Sequence, residues 1–358
     1  MECLVVEVGI LLTSHPDPKS EPYPHQAIHE RVTREILEAE ELGFDSVWIA
    51  EHHFSSTYGI LPDPFAYLAY LAAKTTRIKL GAGVMVVPLH HPMRIVENAA
   101  FIDILSNGRF QLGLGSGYRP YEFEGLGMSY ELRREIQQEA IPLILKGFHD
   151  KRVNHEGKHF KFKMDKQYEI LPQPIQQPHP PLFMGAGTNE SMQFAAEHGF
   201  GLMQSSLPAV GVIGEHVQHY RKHMKSAPAP LDQNPAFGNV DVVRMVYVAP
   251  TDAKAKEESE AGITHHMKTF LAAGSYLGDV TEKEDEDSFL YDKLAETTIL
   301  HGSPDTVIRR IEEFRKVGTT SIMVHYPPYY GQQQTIEMLR LFAKEVLPHV
   351  NEMKAAAE

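Results

Sequence analysis

A (β/α)8 TIM barrel, an α/β fold, is what this sequence predicts, on three observations. Short apolar runs alternate with helical apolar spacing from one end to the other. Eight strand–helix units suit a parallel sheet that closes on itself. No composition shift or Gly/Ser/Pro linker divides the 358 residues, so one domain spanning 1–358 is expected rather than an open doubly wound sheet with an appended domain.

The expected strands are Val5–Leu11, Ser46–Ile49, Ile78–Val84, Phe110–Leu114, Leu182–Met184, Leu202–Ser205, Asp241–Val248 and Ser321–His325. Between them the spacing is helical, as at Ile28, Val32, Ile36 and Ala39, and again at Ile336, Leu339, Phe342 and Val346. Two insertions break the rhythm. Residues 151–180, after the fourth helix, alternate polar with apolar and then turn Pro-rich, which predicts a hairpin and loop. Residues 272–297, before the last helix–strand–helix stretch, carry the acidic run EKEDED and are expected to form a loop excursion that suits a lid or a solvated surface.

Composition narrows the function. Hydrophobic residues make up 42% and charged residues 23%, enough apolar material for a large core. The net charge is −13 without any basic run, so neither nucleic acid nor an anionic membrane is an expected partner. Cys3 is the only cysteine, which leaves no intrachain disulfide and argues against a catalytic thiol. No apolar run reaches bilayer length, and the first residues do not read as a secretory signal, so a cytoplasmic protein is expected.

Barrel enzymes carry their reactive groups where strands end. The second strand runs into Glu51, His52 and His53, and alternation turns only one of the two histidines towards the mouth. The pairs His52/His53, His90/His91 and His265/His266 lack the spacings of common zinc sites, so no metal is expected. Gly83, inside the third strand, predicts a bulge or a close backbone approach. Gly113, Gly115 and Gly117 follow G-x-G-x-G and so miss the dinucleotide fingerprint; at a barrel mouth they would instead let a planar ligand lie on bare backbone. After the fifth strand, Gly187, Thr188, Asn189, Glu190 and Ser191 open a helix. Such a turn suits a phosphate, with Thr188 and Ser191 as added donors, and equally a plain N-cap.

GFDSVWIAEHHF at 43–54, PLHHPMR at 88–94 and NGRFQLGLGSGY at 107–118 resemble the bacterial luciferase-like flavin-dependent monooxygenases. So do GTNESMQFAAEHG at 187–199 and ILHGSPDTVIRRIEEF at 299–314, in the same order over nearly the whole chain. The resemblance implies reduced FMN at the barrel mouth, supplied by a separate flavin reductase. It implies dioxygen as co-substrate and a flavin hydroperoxide that oxygenates a small aldehyde, ketone, amine or sulfur compound. It assigns the chemistry to His52, the first histidine of EHH, and a non-prolyl cis peptide beneath the flavin to Gly83–Val84. It places Gly115, Ser116, Gly117 and Tyr118 beside the cofactor and the phosphate at Gly187–Ser191. It also implies a homodimer. Two positions depart from relatives: Ser116 stands where many carry Arg, and Gly115 where luciferase α subunits carry Cys. The competing expectations are a deazaflavin-dependent dehydrogenase on the same barrel and a flavin-binding protein without turnover.

Overall fold

The structure, a computed structural model, describes residues 7–17, 21, 25–56, 58–272 and 290–355. Eight parallel strands make the barrel wall: β1 (Glu7–Leu12), β2 (Ser46–Ile49), β3 (Lys79–Val86), β4 (Phe110–Gly115), β5 (Leu182–Gly185), β6 (Gly201–Gln204), β7 (Val240–Val248) and β8 (Ser321–His325). Each pairs with the next, and Glu7 of β1 stands opposite Ser321 of β8, which closes the ring. All eight lie within two residues of the positions that apolar patterning predicts.

Alternation along the strands builds two cores. Leu11, Trp48, Phe183, Met203 and Met323 fill the barrel interior, with Val84 and Val243 against them. Val8, Ile10, Val47, Ile49, Leu182 and Leu202 join the larger core shared with the helices. Gly81 makes room for the interior: a Cβ there would collide with the Trp48 indole. The centre is therefore packed with side chains and is no pore. At its lower end Thr320 Oγ1 donates to Asp241 Oδ1 at 3.3 Å, and Lys79 pairs with Glu7 at 2.6 Å. Burial pushes the Asp241 carboxyl up to about 7, with Glu7 adding to the rise.

Around the wall run α1 (Gln26–Glu41), α2 (Pro64–Ala72), α3 (Pro92–Leu105), α4 (Arg133–His149), α5 (Asn189–Glu197) and α6 (Val210–Met224). Local chemistry starts several of them. Asp63 caps α2 by accepting from Ala66 N at 3.1 Å, with Pro64 in the first turn. Thr188 caps α5 through a capping box with Ser191. After β7 the chain departs from simple alternation. Helix α7 (Asp252–Ala272) lies over the mouth: a Cβ at Gly262 would stand 2.7 Å from the Tyr330 ring, and His266 meets His15 and His325. The outer ring is completed by α8 (Pro304–Lys316) and α9 (Gln332–Glu345).

A strand that patterning did not indicate, Leu300–Gly302, pairs in parallel with Val246–Val248 at the far end of β7. Only three residues long, it is too short to carry a period of its own. In the first insertion the expected hairpin is present, as His155–Glu156 against Lys161–Phe162. In the second, residues 273–289 lie outside the described residues, and Tyr291–Thr297 is a helix.

Candidate active site

The C-terminal ends of the strands bring His15, His52, Val84, Tyr118 and His325 to one mouth, and α7 adds His266 from above. Alternation separates the two histidines after β2 as expected. His52 is 4% exposed, and its Nδ1 lies 3.0 Å from Glu122 Oε1. The same carboxylate oxygen accepts the backbone N–H of His53 at 3.0 Å. The His52 ring meets Tyr58 edge-on, with centroids 4.6 Å apart, and approaches Tyr118 at 6.0 Å. His53 turns the other way, its Nε2 3.1 Å from Glu51 Oε1.

Glu51 ties two strands together. Its Oε1 also lies 2.8 Å from His90 Nε2, and its Oε2 accepts from Val86 N at 2.7 Å. Burial pushes this carboxyl up, but the hydrogen bonds from His53, His90 and Val86 outweigh it and hold the group below the usual carboxylate range. His90 is correspondingly raised, since the bond to Glu51 overcomes its own burial.

The remaining imidazoles of the mouth are held neutral. Burial, aided by His325 and Arg31, pulls His15 down to about 3. Burial likewise holds His266 well below, and His325 below, the ordinary imidazole range. His15 Nε2 lies 2.8 Å from the Tyr329 hydroxyl, and His325 Nδ1 lies 2.8 Å from the Leu11 carbonyl oxygen. The Tyr58 and Tyr118 hydroxyls are 3.0 Å apart, with the buried Arg119 guanidinium 4.3 Å from the first ring and 4.9 Å from the second. Among the described residues no group of three or more His, Cys, Asp or Glu is placed to share a metal ion.

Gly83–Val84 is a cis peptide, and the pairing of β3 with β4 slips between Ala82 and Met85, the irregularity that Gly83 predicts. The glycines of β4 make room for a side chain of β3. A Cβ on Gly115 would stand 2.6 Å from Val84 Cγ2, and one on Gly113 would meet Met203 and the Ala82 carbonyl. On that side the backbone is not bare, because the Val84 side chain fills the space. Gly185 faces the same side chain at 3.3 Å. Val84 therefore joins the Gly115–Tyr118 turn to the strand that leads into Gly187. Gly117 has φ 75°, with Val86 and Phe123 against its Cβ position; Ser116 is half-buried, its Oγ 3.5 Å from the Gly117 carbonyl.

At the start of α5 the Thr188 and Ser191 hydroxyls bond to each other at 3.1 Å, and Ser191 Oγ accepts Thr188 N at 3.0 Å. This is the plain N-cap of the two expectations. The exposed Glu190 carboxylate accepts from its own backbone N–H and from Thr188, which hold it below the usual carboxylate range. Arg134 and His219 are the basic groups facing it, and His219 Nε2 lies 3.0 Å from the Asn189 carbonyl. The donor set thus fits a phosphate that displaces Glu190.

Sequence reasoning missed Glu122, Tyr58, Arg119, His15, His266 and His325. The lone signal for Glu122 was an acidic residue in the first turn after Pro120, within a glycine-rich loop.

A model of the family described as luciferase-like monooxygenase matches residues 6–321. The oxygenase component of a flavin-dependent trigonelline monooxygenase from Acinetobacter baylyi is 29% identical over 244 residues, covering 68% of this chain and 65% of its own. The alkanal monooxygenase alpha chain of the Kryptophanaron alfredi symbiont is 25% identical over 338 residues, covering 88% and 90%. A third curated relative, from Sinorhizobium fredii, matches over 50% of its length. The chain therefore spans about half to two-thirds of two of these relatives. Among solved structures, the monooxygenase RslO1 from Streptomyces bottropensis superposes with TM-score 0.80 at 25% identity, covering 96% of this chain and 99% of that one.

Proposed function

The chain belongs to the luciferase-like monooxygenase family, and from that premise we propose that it is the oxygenase component of a two-component FMN-dependent system, acting in one domain. One observation carries the reading: a buried imidazole, His52, follows β2 at the mouth and is held by a carboxylate.

Bound reduced FMN, made by a separate reductase, supplies two electrons for activating dioxygen, with one oxygen atom going to a small organic substrate and the other to water. Gly83, Val84, Gly115, Ser116, Gly117 and Tyr118 form the surface for its ring. The turn Gly187, Thr188, Asn189, Glu190 and Ser191 takes its phosphate. Arg134 and His219 contribute the positive field that the serine at 116 does not. Val84 gives the ring an apolar contact, and α7 with Tyr329 closes the mouth against water. His52 takes or returns the proton. The neutral His15, His266 and His325 offer hydrogen bonds to a substrate without placing fixed positive charge beside the reaction.

The working form is a cytoplasmic homodimer. Tyr70 of α2 and Phe101, Ile104 and Leu105 of the adjoining α3 are exposed, an apolar surface suited to a second copy. No helix among the described residues is long and apolar enough to cross a membrane.

The test is single turnover with chemically reduced FMN and dioxygen. The substrate panel spans aldehydes, ketones, amines and sulfur compounds, together with trigonelline and an alkanal, the compounds after which two relatives are named. Substrate-dependent product from the wild type, and a loss of about two to four orders of magnitude in His52→Ala at little changed FMN affinity, is the expected result. Reoxidation of FMN without product for any substrate would favour a flavin-binding protein. Wild-type yield from His52→Ala would remove the base.

A further inference from the structure

We infer that Glu122 is the positioning residue for His52, fixing its tautomer and stabilising the imidazolium that forms when it accepts a proton. The inference rests on the proton-transfer role of His52.

Glu122 Oε1 sits 3.0 Å from both His52 Nδ1 and His53 N. The backbone N–H can only donate, so it pins that oxygen as an acceptor, and an ionised carboxylate has no proton to offer. His52 Nδ1 must then carry the hydrogen, and in the neutral ring Nε2 is left with the lone pair. Among the described residues no hydrogen bond occupies Nε2. The ring edge beside it is boxed in, since a Cβ on Gly59 would stand 2.9 Å from Cδ2, while Tyr58 packs edge-on. Nε2 is thus the one atom of His52 open to proton exchange.

Glu122 is 1% exposed, so its charge acts across a short, poorly screened distance. When a proton passes from the reacting group to Nε2, Nδ1 keeps its hydrogen, the ring gains a positive charge, and Glu122 remains ionised beside it. The logic is that of a carboxylate orienting a catalytic imidazole. Glu122 lies in the first turn of Pro120–Gly125, where an acidic side chain is favoured. The neighbouring carboxylate, Glu51, serves His53, His90 and the β3 backbone and makes no hydrogen bond to His52 among the described residues.

The experiment compares wild type, Glu122→Gln, Glu122→Leu and His52→Ala, with histidine labelled by nitrogen-15 in the ring. The His52 signal is identified by its loss in His52→Ala. The wild type is expected to show Nδ1 protonated and Nε2 bare at neutral pH. Glu122→Gln keeps the accepting oxygen, so the tautomer should survive while turnover falls about tenfold for want of charge. Glu122→Leu should lose the tautomer preference, and turnover should fall about a hundredfold. FMN affinity should stay within about threefold in both, as expected for a group acting on the transition state. A wild-type His52 signal with Nε2 protonated would overturn the inference, as would unchanged turnover in Glu122→Gln. Should Glu122→Leu not fold, those two results decide alone. If His52→Ala turns over normally, the base reading fails, while the nitrogen signals still report whether Glu122 sets the tautomer.

Discussion

Gly59 packs against His52 so closely that a Cβ on it would stand 2.9 Å from both Cβ and Cδ2 of the imidazole, and 2.7 Å from the Thr13 carbonyl oxygen. The backbone oxygen cannot swing away, so the histidine must yield. Gly59→Ala should displace His52 from Glu122 and lower single-turnover yield by at least tenfold, while costing about 1–3 kcal/mol of stability through overpacking. Denaturant unfolding and turnover measured together would check both. Wild-type turnover in a folded Gly59→Ala protein would show that the position of His52 is not critical.

Asp241 makes stability depend on pH. Its carboxyl is raised by burial to about 7, above its value in the unfolded chain, so folding takes up a proton between those two values. The contribution is complete below the unfolded value and is lost as pH rises through about 7. The loss is at most about 4 kcal/mol for a shift of this size. Asp241→Asn should therefore gain stability relative to wild type at pH 8 and not at pH 4. A difference between the two proteins that stays constant across pH would disprove the effect.

Thr188→Ala and Ser191→Ala test the phosphate turn. Each should weaken FMN binding by about 1–3 kcal/mol, the worth of a hydrogen bond to a charged group, and leave riboflavin unaffected. Because both hydroxyls belong to the capping box, Thr188→Ala should also cost about 1 kcal/mol of stability without ligand. Equal losses for FMN and riboflavin would place the phosphate elsewhere.

His53→Ala should separate structure from chemistry. The side chain bonds to Glu51 and not to the mouth, so turnover should stay within about threefold of wild type. Its removal takes one hydrogen bond from a buried carboxylate, which should lower stability by about 1–3 kcal/mol. A collapse of turnover at full stability would reverse the assignment of the two histidines.

The barrel was legible because its signal is local. Apolar alternation places each strand, and caps such as Asp63–Pro64 start the helices. The opposed faces of His52 and His53 follow from the same rule. What alternation does not carry is contact between distant loops. Glu122 reaches His52 across seventy positions, and Val84 settles over Gly115 and Gly185 from a third strand. The glycine pattern of β4 announced a close approach but not which atoms made it. The imidazoles of the mouth were equally silent, since His15, His266 and His325 are scattered along the chain and meet only where the barrel closes.

One strand does two jobs in this wall. The lower part of β7 closes the barrel against β6 and β8, while Val246–Val248 pair with Leu300–Gly302. The described residues 252–272 and 290–299 thus lie between the two strands of a three-rung backbone ladder. The helix that brings His266 over the mouth lies within this excursion, anchored by Ile263 and Met267 in the core and by Ser259 Oγ, 2.8 Å from His301 Nδ1. The two ends of the excursion are thereby held side by side at Val246 and Leu300, so the helix over the mouth is fixed at its root by backbone pairing.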